Sequence, residues 1–186
     1  MALAALKNEG YTYEDYQHWP DSERWEIIDG EAYDMSPAPL IRHQNIVLNI
    51  SYELKKSLGK KCPVFIAPTD VVFDEYNVVQ PDVFAVCDRN IITEKNIQGA
   101  PVLIIEVISP STSLKDRREK KNLYERFGVK EYILVFPDDC TVERYVLKKG
   151  GYGAPEIFNW DEELPLASFD VKIALWEIFE KEKNAE

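Results

Sequence analysis

The chain has 186 residues, 45% of them hydrophobic, and carries 22 lysines and arginines against 33 aspartates and glutamates, a formal net charge of −11. The length suits one domain and the apolar fraction excludes a disordered chain, so we expect a single domain over 1–186 with its core at about 13–180. The acidic balance excludes a protein that coats nucleic acid through bulk basicity.

The cysteine pattern and the N-terminus predict the compartment. Cys62, Cys87 and Cys140 are far apart, odd in number and form no CxxC motif. This pattern predicts reduced structural cysteines and argues against a disulfide framework or a zinc–thiolate site. The apolar start of the chain is too short for a signal peptide, and no run approaches the 18 apolar residues of a membrane span. We therefore expect a soluble, cytoplasmic protein.

The first 35 residues predict a short helix and a β-hairpin. The capping-box pattern Thr12-x-x-Asp15 opens a helix that includes Tyr16 and Trp19. Two β-rich segments then flank Asp29-Gly30, the favoured two-residue hairpin turn. These segments cover residues 24–28 and 31–35.

A long helix and a series of strands follow. Residues 40–58 are predicted to be helical, because one stripe of residues recurs at steps of three and four. Three short β-rich runs lead to 101–108, which is apolar on both faces apart from one glutamate and is therefore typical of a central buried strand. The helical stripe consists of His43, Val47, Ile50, Leu54 and Leu58, and the β-rich runs cover 63–66, 69–73 and 82–86.

The C-terminal half predicts two helices and three strands. Ser113-x-x-Asp116 caps a helix that runs to about Phe127, with Gly128 at its C-cap. The order of the elements predicts one α/β domain with a mixed sheet. The remaining elements are strands at 131–136, 141–147 and about 156–158, and a closing helix at 174–180.

Three residues on these elements are candidates for chemistry. Asp82 follows Pro81 at the start of a strand, a pattern that is also ordinary turn chemistry. Glu106 lies in an otherwise apolar strand, so its carboxylate is either paired in a structural salt bridge or bound to a metal. Lys120 falls in the middle of the apolar stripe of its helix, either as a snorkelling side chain or as a buried ammonium that pairs with a carboxylate.

Together these residues suit phosphodiester hydrolysis. Carboxylates of Asp82 and Glu106 can converge on a hard divalent cation such as Mg²⁺ or Mn²⁺, which prefers oxygen ligands. The carbonyl of Val107 would add a third oxygen. The Lys120 ammonium would orient the attacking water and offset negative charge in the transition state.

Several stretches are similar to a known family. Pro81-Asp82 and Glu106-Val107-Ile108 resemble the PD-(D/E)XK nuclease signature, and the flanking stretches resemble its Uma-two family of restriction-endonuclease-like proteins, from about Tyr13 to Phe179. These stretches are WEIIDGE at 25–31, NVVQPD at 77–82, IEVISPST at 105–112, Asp116-x3-Lys120-x3-Tyr124, and GVKEY at 128–132.

The resemblance implies a restriction-endonuclease-like αβββαβ core with a mixed central sheet, an N-terminal β-hairpin and flanking helices. It also implies a divalent-metal site on Asp82 and Glu106, and a homodimer. The sequence departs from the general signature at Ile108, where a lysine is expected two residues after the glutamate. Some members of the superfamily supply that lysine from the following helix, and Lys120 is the matching position.

Four residues are candidates for accessory roles. His43 is either a satisfied structural residue of the long helix or a residue at the mouth of the metal site. Glu26 and Glu31 flank the Asp-Gly turn and either face solvent or bring a third carboxylate to the site. Gln80 precedes the Pro-Asp pair and is a candidate contact of the site.

The negative charge is not evenly distributed. Residues 55–61 hold four lysines and no acid, and residues 115–121 hold five basic and two acidic residues, a formal +7 over 14 positions. The other 172 positions carry −18. We therefore expect weak, salt-sensitive contact with DNA confined to one face. The residues expected to bind nucleic acid are Lys55, Lys56, Arg117 and Lys121.

The leading hypothesis is a Mg²⁺-dependent endonuclease that hydrolyses DNA phosphodiester bonds. The alternative is a catalytically inactive nuclease-fold module for binding or interaction, which the missing lysine at Ile108 motivates. A metal-dependent hydrolase of small phosphorylated substrates is disfavoured, because the sequence contains no glycine-rich phosphate cradle.

Overall fold

The computed structural model describes residues 10–20, 22–35, 40–109 and 115–182. The helices are α1 (Tyr13–Tyr16), α2 (Ile41–Leu58), α3 (Lys121–Arg126) and α4 (Leu175–Ile178), with a 3₁₀ turn at Arg89–Ile91. A π-helical segment, Asp116–Lys120, runs directly into α3, and we call the two together the π–α3 helix.

Thirteen strands are present in the described residues. They are β1 (Trp25–Ile28), β2 (Glu31–Asp34), β3 (Val64–Ile66), β4 (Val71–Asp74), β5 (Asn77–Val79), β6 (Val83–Ala85), β7 (Ile97–Gln98), β8 (Leu103–Val107), β9 (Glu131–Phe136), β10 (Thr141–Val146), β11 (Glu156–Asn159), β12 (Glu163–Leu166) and β13 (Val171–Ala174). They form a six-stranded sheet, a five-stranded sheet and the hairpin β12–β13.

The six-stranded sheet has the order β11-β10-β9-β8-β6-β3. Strands β8 and β9 are parallel and the other neighbours antiparallel, which confirms the mixed sheet. Strand β8 lies in the middle, and all five of its residues are buried, as the apolar run at 101–108 predicts. A strand covered on both faces reads as a continuous apolar run.

The five-stranded sheet has the order β2-β1-β5-β4-β7 and contains the predicted N-terminal hairpin. Asp29 and Gly30 both have positive φ, which the favoured two-residue hairpin turn requires. The hairpin continues into β5, β4 and β7, so it forms part of a second sheet. The sequence does not reveal β5 and β7, because two or three residues are too few to show a period.

The two faces of the six-stranded sheet are covered by different elements. Helix α2 packs on one face, together with β12–β13 and α4, and confirms the predicted helix at 40–58. The π–α3 helix and the five-stranded sheet cover the opposite face. The buried residues of α2 are Ile46, Ile50, Leu54 and Leu58.

The prediction of three reduced cysteines is wrong. Cys62 and Cys87 form a disulfide, while Cys140 is free and buried. Strands β3 and β6 pair antiparallel with Val64 opposite Ala85, so the positions two residues further out lie opposite each other. The 25-residue separation conceals this proximity in the sequence.

Two smaller predictions also need correction or lie outside the described residues. The capping box of Thr12 and Asp15 is present, but α1 ends at Tyr16 and does not include Trp19. Ser113 lies outside the described residues, so its capping role stays a prediction. None of the helices in the described ranges combines the length and apolar character needed to cross a bilayer.

Candidate active site

The antiparallel pairing of β6 and β8 brings the two predicted carboxylates together. Val83 lies opposite Ile105, so Asp82 and Glu106 are neighbours across the strands. The Asp82 N–H donates to Glu106 Oε2 at 3.3 Å, and the Val107 N–H donates to Asp82 Oδ2 at 2.8 Å. The backbone at 82 and 107 thus fixes both carboxylates at one end of the β6–β8 pair.

Lys120 reaches these carboxylates from the π–α3 helix. Its side chain is 3% exposed, which confirms the inward direction predicted from the helical stripe. The Lys120 Nζ lies 2.9 Å from Glu106 Oε1 and 2.8 Å from Glu26 Oε1, with Asp116 Oδ1 at 3.7 Å. The ammonium therefore lies among three carboxylates. Lys120 ends the π-helical segment Asp116–Lys120, and short π-helical turns within a helix occur frequently at functional sites.

Tyr124 is a site residue to which sequence reasoning gave no role. Its hydroxyl donates to Glu106 Oε1 at 2.9 Å, so this oxygen accepts bonds from both Tyr124 and Lys120. Tyr124 follows Lys120 by four residues and so shares its helical face, which is the sequence signal that would have found it.

Glu26 lies in this group and Glu31 does not. The Glu26 side chain is fully buried on β1 and contacts Lys115 Nζ at 2.6 Å, in addition to Lys120. It also accepts the Gln80 N–H at 3.0 Å. Glu31 is exposed and accepts the Tyr33 hydroxyl at 3.0 Å.

The Gln80 amide belongs to a neighbouring polar network. Its Oε1 accepts from the Arg24 guanidinium at 2.7 and 3.0 Å, and its Nε2 donates to Asp70 at 2.9 Å and to the Tyr16 hydroxyl at 3.2 Å. Gln80 therefore connects to the candidate site through its backbone N–H.

His43 lies beside Asp82, as the stripe on α2 allowed. Its Nε2 is 3.1 Å from Asp82 Oδ2, and its buried Nδ1 has no hydrogen-bond partner among the described residues. Burial would lower the pKa of His43, but the Asp82 carboxylate, together with the Val107 backbone carbonyl and Asp116, outweighs burial and raises it. His43 is thus one residue that holds Asp82 in place.

The basic residues expected to bind DNA lie in two separate places. Lys55 and Lys56 are exposed in the last turn of α2, about 18 Å along the helix from His43. Arg117 lies 3.3 Å from Glu143 and stacks over the ring of Phe136. Only the second group lies on the helix that carries Lys120, where Lys121 packs over the ring of Tyr145.

The electrostatics of the cluster favour an additional positive charge. Burial, followed by repulsion from Asp82, Asp116 and Glu26, raises the pKa of Glu106 to about 8 even though Lys120 lowers it. Burial opposes the charge on Lys120, but the surrounding carboxylates hold its pKa well above the ordinary value. The pKa of Glu26 is lowered, because its two lysines outweigh its burial.

The charges of this cluster sum to a formal −2. Four carboxylates stand against two ammonium groups when all are ionised, and three of the carboxylates lie 2.6 to 3.7 Å from an ammonium. In the described part of the chain, no three His, Cys, Asp or Glu side chains are arranged as a metal site. A cation here would therefore take two carboxylates, a backbone oxygen and water as ligands. The members of the cluster are Glu26, Asp82, Glu106, Lys115, Asp116 and Lys120.

Comparisons with known proteins agree with this fold. A curated relative, the "Uncharacterized protein slr1290" of Synechocystis sp. (strain ATCC 27184 / PCC 6803 / Kazusa), is 26% identical over 167 residues, which cover 87% of each chain. A crystal structure described as "a putative nuclease belonging to DUF820" from Anabaena variabilis ATCC 29413 matches with a TM-score of 0.75 at 20% identity, over 91% of this chain and 97% of that one. This similarity establishes a nuclease-like fold. A family model described as "Uma2: Putative restriction endonuclease" matches residues 13–175, and the chain therefore belongs to the Uma2 family.

Proposed function

We propose that this protein is a metal-dependent endonuclease that hydrolyses phosphodiester bonds in DNA. The observation that carries the proposal is the cluster in which Asp82 and Glu106 adjoin across two strands with the Lys120 ammonium 2.9 Å from Glu106. Membership of a family described as "Putative restriction endonuclease" supports the same reaction class.

The residues present suit a divalent cation, Mg²⁺ or Mn²⁺, held by Asp82, Glu106 and the Val107 carbonyl. These are hard oxygen donors, the ligands that Mg²⁺ and Mn²⁺ prefer. Glu106 is buried beside Asp82, Asp116 and Glu26, and a bound cation would offset the repulsion among these carboxylates. When bound, the cation would supply Lewis-acid stabilisation of the phosphate and activation of water.

Three side chains have further roles in the proposed reaction. Lys120 would offset the negative charge that develops on the phosphate and orient the attacking water. Tyr124 holds Glu106 Oε1, which leaves Oε2 directed toward Asp82. His43 holds Asp82 Oδ2 from the α2 side.

We propose that DNA approaches from the side of the π–α3 helix. Arg117 is 47% exposed and Lys121 is half-buried, so both can pair with phosphates near the carboxylates. Lys55 and Lys56 would contact DNA only at a distance from the site. A homodimer and a cytoplasmic location stay predictions, and sedimentation velocity measures the first.

Cleavage of supercoiled plasmid and of short single-stranded and duplex DNA tests the proposed function. We expect the wild type to cut DNA with Mg²⁺ or Mn²⁺ and to lose this activity in EDTA. Calorimetry with each cation, with and without DNA, should show metal uptake that Glu106→Ala abolishes. Wild type and Glu106→Ala that behave alike in all these conditions would contradict the nuclease and favour the binding module.

A further inference from the structure

Glu26 is the residue of the cluster that lies on β1, and it contacts residues from two other parts of the fold. It lies on β1 of the five-stranded sheet, whereas Asp82 and Glu106 are carried by the six-stranded sheet. Its fully buried carboxylate contacts Lys115, which directly precedes the π-helical segment, and Lys120, the last residue of that segment. It also accepts the Gln80 N–H two residues before Asp82. One side chain thus joins β1, the segment between β5 and β6 that leads to Asp82, and the π–α3 helix.

We propose that Glu26 is a positioning residue that fixes the Lys120 ammonium and the backbone leading to Asp82, and that it is not a metal ligand. This inference rests on the proposed function for its catalytic consequence. The anchoring itself rests on the contacts of Glu26 and is measurable without any activity.

The contacts of the two carboxylates distinguish a positioning residue from a ligand. Glu26 Oε1 is 2.8 Å from Lys120 Nζ and accepts the Gln80 N–H, and Oε2 is 2.6 Å from Lys115 Nζ. Both Glu26 oxygens therefore already face ammonium groups, which repel a cation. Glu106 differs, because within the described residues its Oε2 faces a backbone N–H at 3.3 Å.

Lys115 completes the arrangement. Its side chain is 13% exposed and pairs with Oε2, while Lys120 pairs with Oε1. Two ammonium groups on one carboxylate hold the Glu26 side chain in one orientation, because rotation would break both contacts. Loss of Glu26 would leave Lys120 with Glu106 and Asp116 as its carboxylate partners. The ammonium would then move closer to Glu106, which is proposed to hold the metal.

The charge count permits a clean test of the ligand alternative. Glu26→Gln changes the formal charge of the cluster from −2 to −1, which weakens cation binding whether or not Glu26 is a ligand. The double variant Glu26→Gln with Lys115→Met restores −2. We expect calorimetry to show Mn²⁺ affinity about tenfold weaker in the single variant and close to wild type in the double variant. A double variant that binds as weakly as Glu106→Gln would overturn the proposal.

Side-chain ammonium spectra test the anchoring directly. Buried, hydrogen-bonded ammonium groups exchange their protons slowly, so ¹⁵N-lysine spectra should show resolved signals for Lys115 and Lys120. We expect Glu26→Gln to shift or abolish both signals and Lys115→Met to remove one. Signals unchanged in Glu26→Gln would refute the anchoring.

Glu131→Gln is the matched control for loss of a buried carboxylate. Glu131 is fully buried on β9 and accepts the N–H groups of Ala167 and Ser168, away from both lysines. Its variant should lose stability and leave the two ammonium signals in place. Equal spectral changes in the two variants would reduce Glu26 to a purely structural role.

In an active enzyme, Glu26→Gln should lower kcat about 100-fold with little change in KM for DNA, because the proposed phosphate contacts of Arg117 and Lys121 remain. A wild type that takes no metal and cuts no DNA would defeat the proposed function alone. The ammonium spectra would still decide whether Glu26 anchors Lys120.

Discussion

The two faces of the six-stranded sheet differ in kind, and β8 shows the difference at adjacent residues. Ile105 points toward α2 into an apolar cluster. Glu106 points the opposite way, to Lys120 and Tyr124. Both faces carry a buried apolar cluster, but the face toward the π–α3 helix also holds charges that burial makes costly. The apolar clusters on both faces supply the burial energy that offsets the cost of these charges. We call the side toward α2 the packing face and the side that bears the charges the charged face.

The sharpest test of this division is a pair of variants on β8. Glu106→Gln should reduce DNA cleavage by about 10³-fold, because it removes a carboxylate of the proposed metal site. Ile105→Ala should keep the cleavage rate of the folded protein and lower the free energy of unfolding by about 3 kcal/mol through a cavity. Urea denaturation and cleavage assays below the unfolding midpoint measure both. Comparable activity loss in the two variants would break the division.

The disulfide belongs to the packing face, because Cys62 lies in the same apolar cluster as Ile105. We expect Cys62→Ser to lower the free energy of unfolding by about 3 kcal/mol, since the bridge closes a loop of 25 residues in the unfolded chain. Cleavage by the folded variant should match wild type. Non-reducing peptide mass spectrometry should identify the Cys62–Cys87 pair, and its absence from protein purified without reductant would contradict the disulfide.

Without metal, the titration of Glu106 on the charged face should make the stability of the folded protein depend on pH. The pKa of Glu106 is raised to about 8, so folding favours its protonated form. Its contribution is complete below the ordinary carboxyl pKa of 4.5 and is lost as pH rises through about 8. We expect the melting temperature in EDTA to fall more between pH 5 and 9 for wild type than for Glu106→Gln. Parallel curves would show that Glu106 titrates normally.

The sequence predicted those features that a period or a turn pattern encodes. The stripe on 40–58 gives α2, Asp29-Gly30 gives the hairpin, and the same reasoning gives the inward direction of Lys120. Each depends on residues within a window of at most about 18 positions, where spacing determines direction.

Long-range pairing explains what the sequence did not reveal. The disulfide follows from strand register, which no local pattern determines. The chemistry of Asp82 and Glu106 and the family resemblance predicted that these carboxylates converge, and the register of β6 and β8 brings them together. The contact of Glu26 with Lys115 joins residues 89 positions apart on different layers. The family resemblance indicated the pair Asp82 and Glu106. It did not indicate that Glu26 contacts both Lys115 and Lys120.

The smallest effect we expect concerns where DNA contacts the two faces. Arg117 lies on the π–α3 helix beside the charged face, whereas Lys55 lies on α2 on the packing face. Arg117→Ala should weaken DNA binding a few-fold and reduce the slope of log K against log salt by about 1, the value for one lost phosphate contact. Lys55→Ala, which removes the same charge, should change neither quantity. Fluorescence anisotropy with a labelled duplex over 50–200 mM salt measures both. Equal changes in slope would mean that DNA also contacts α2. DNA binding would then not be confined to the charged face.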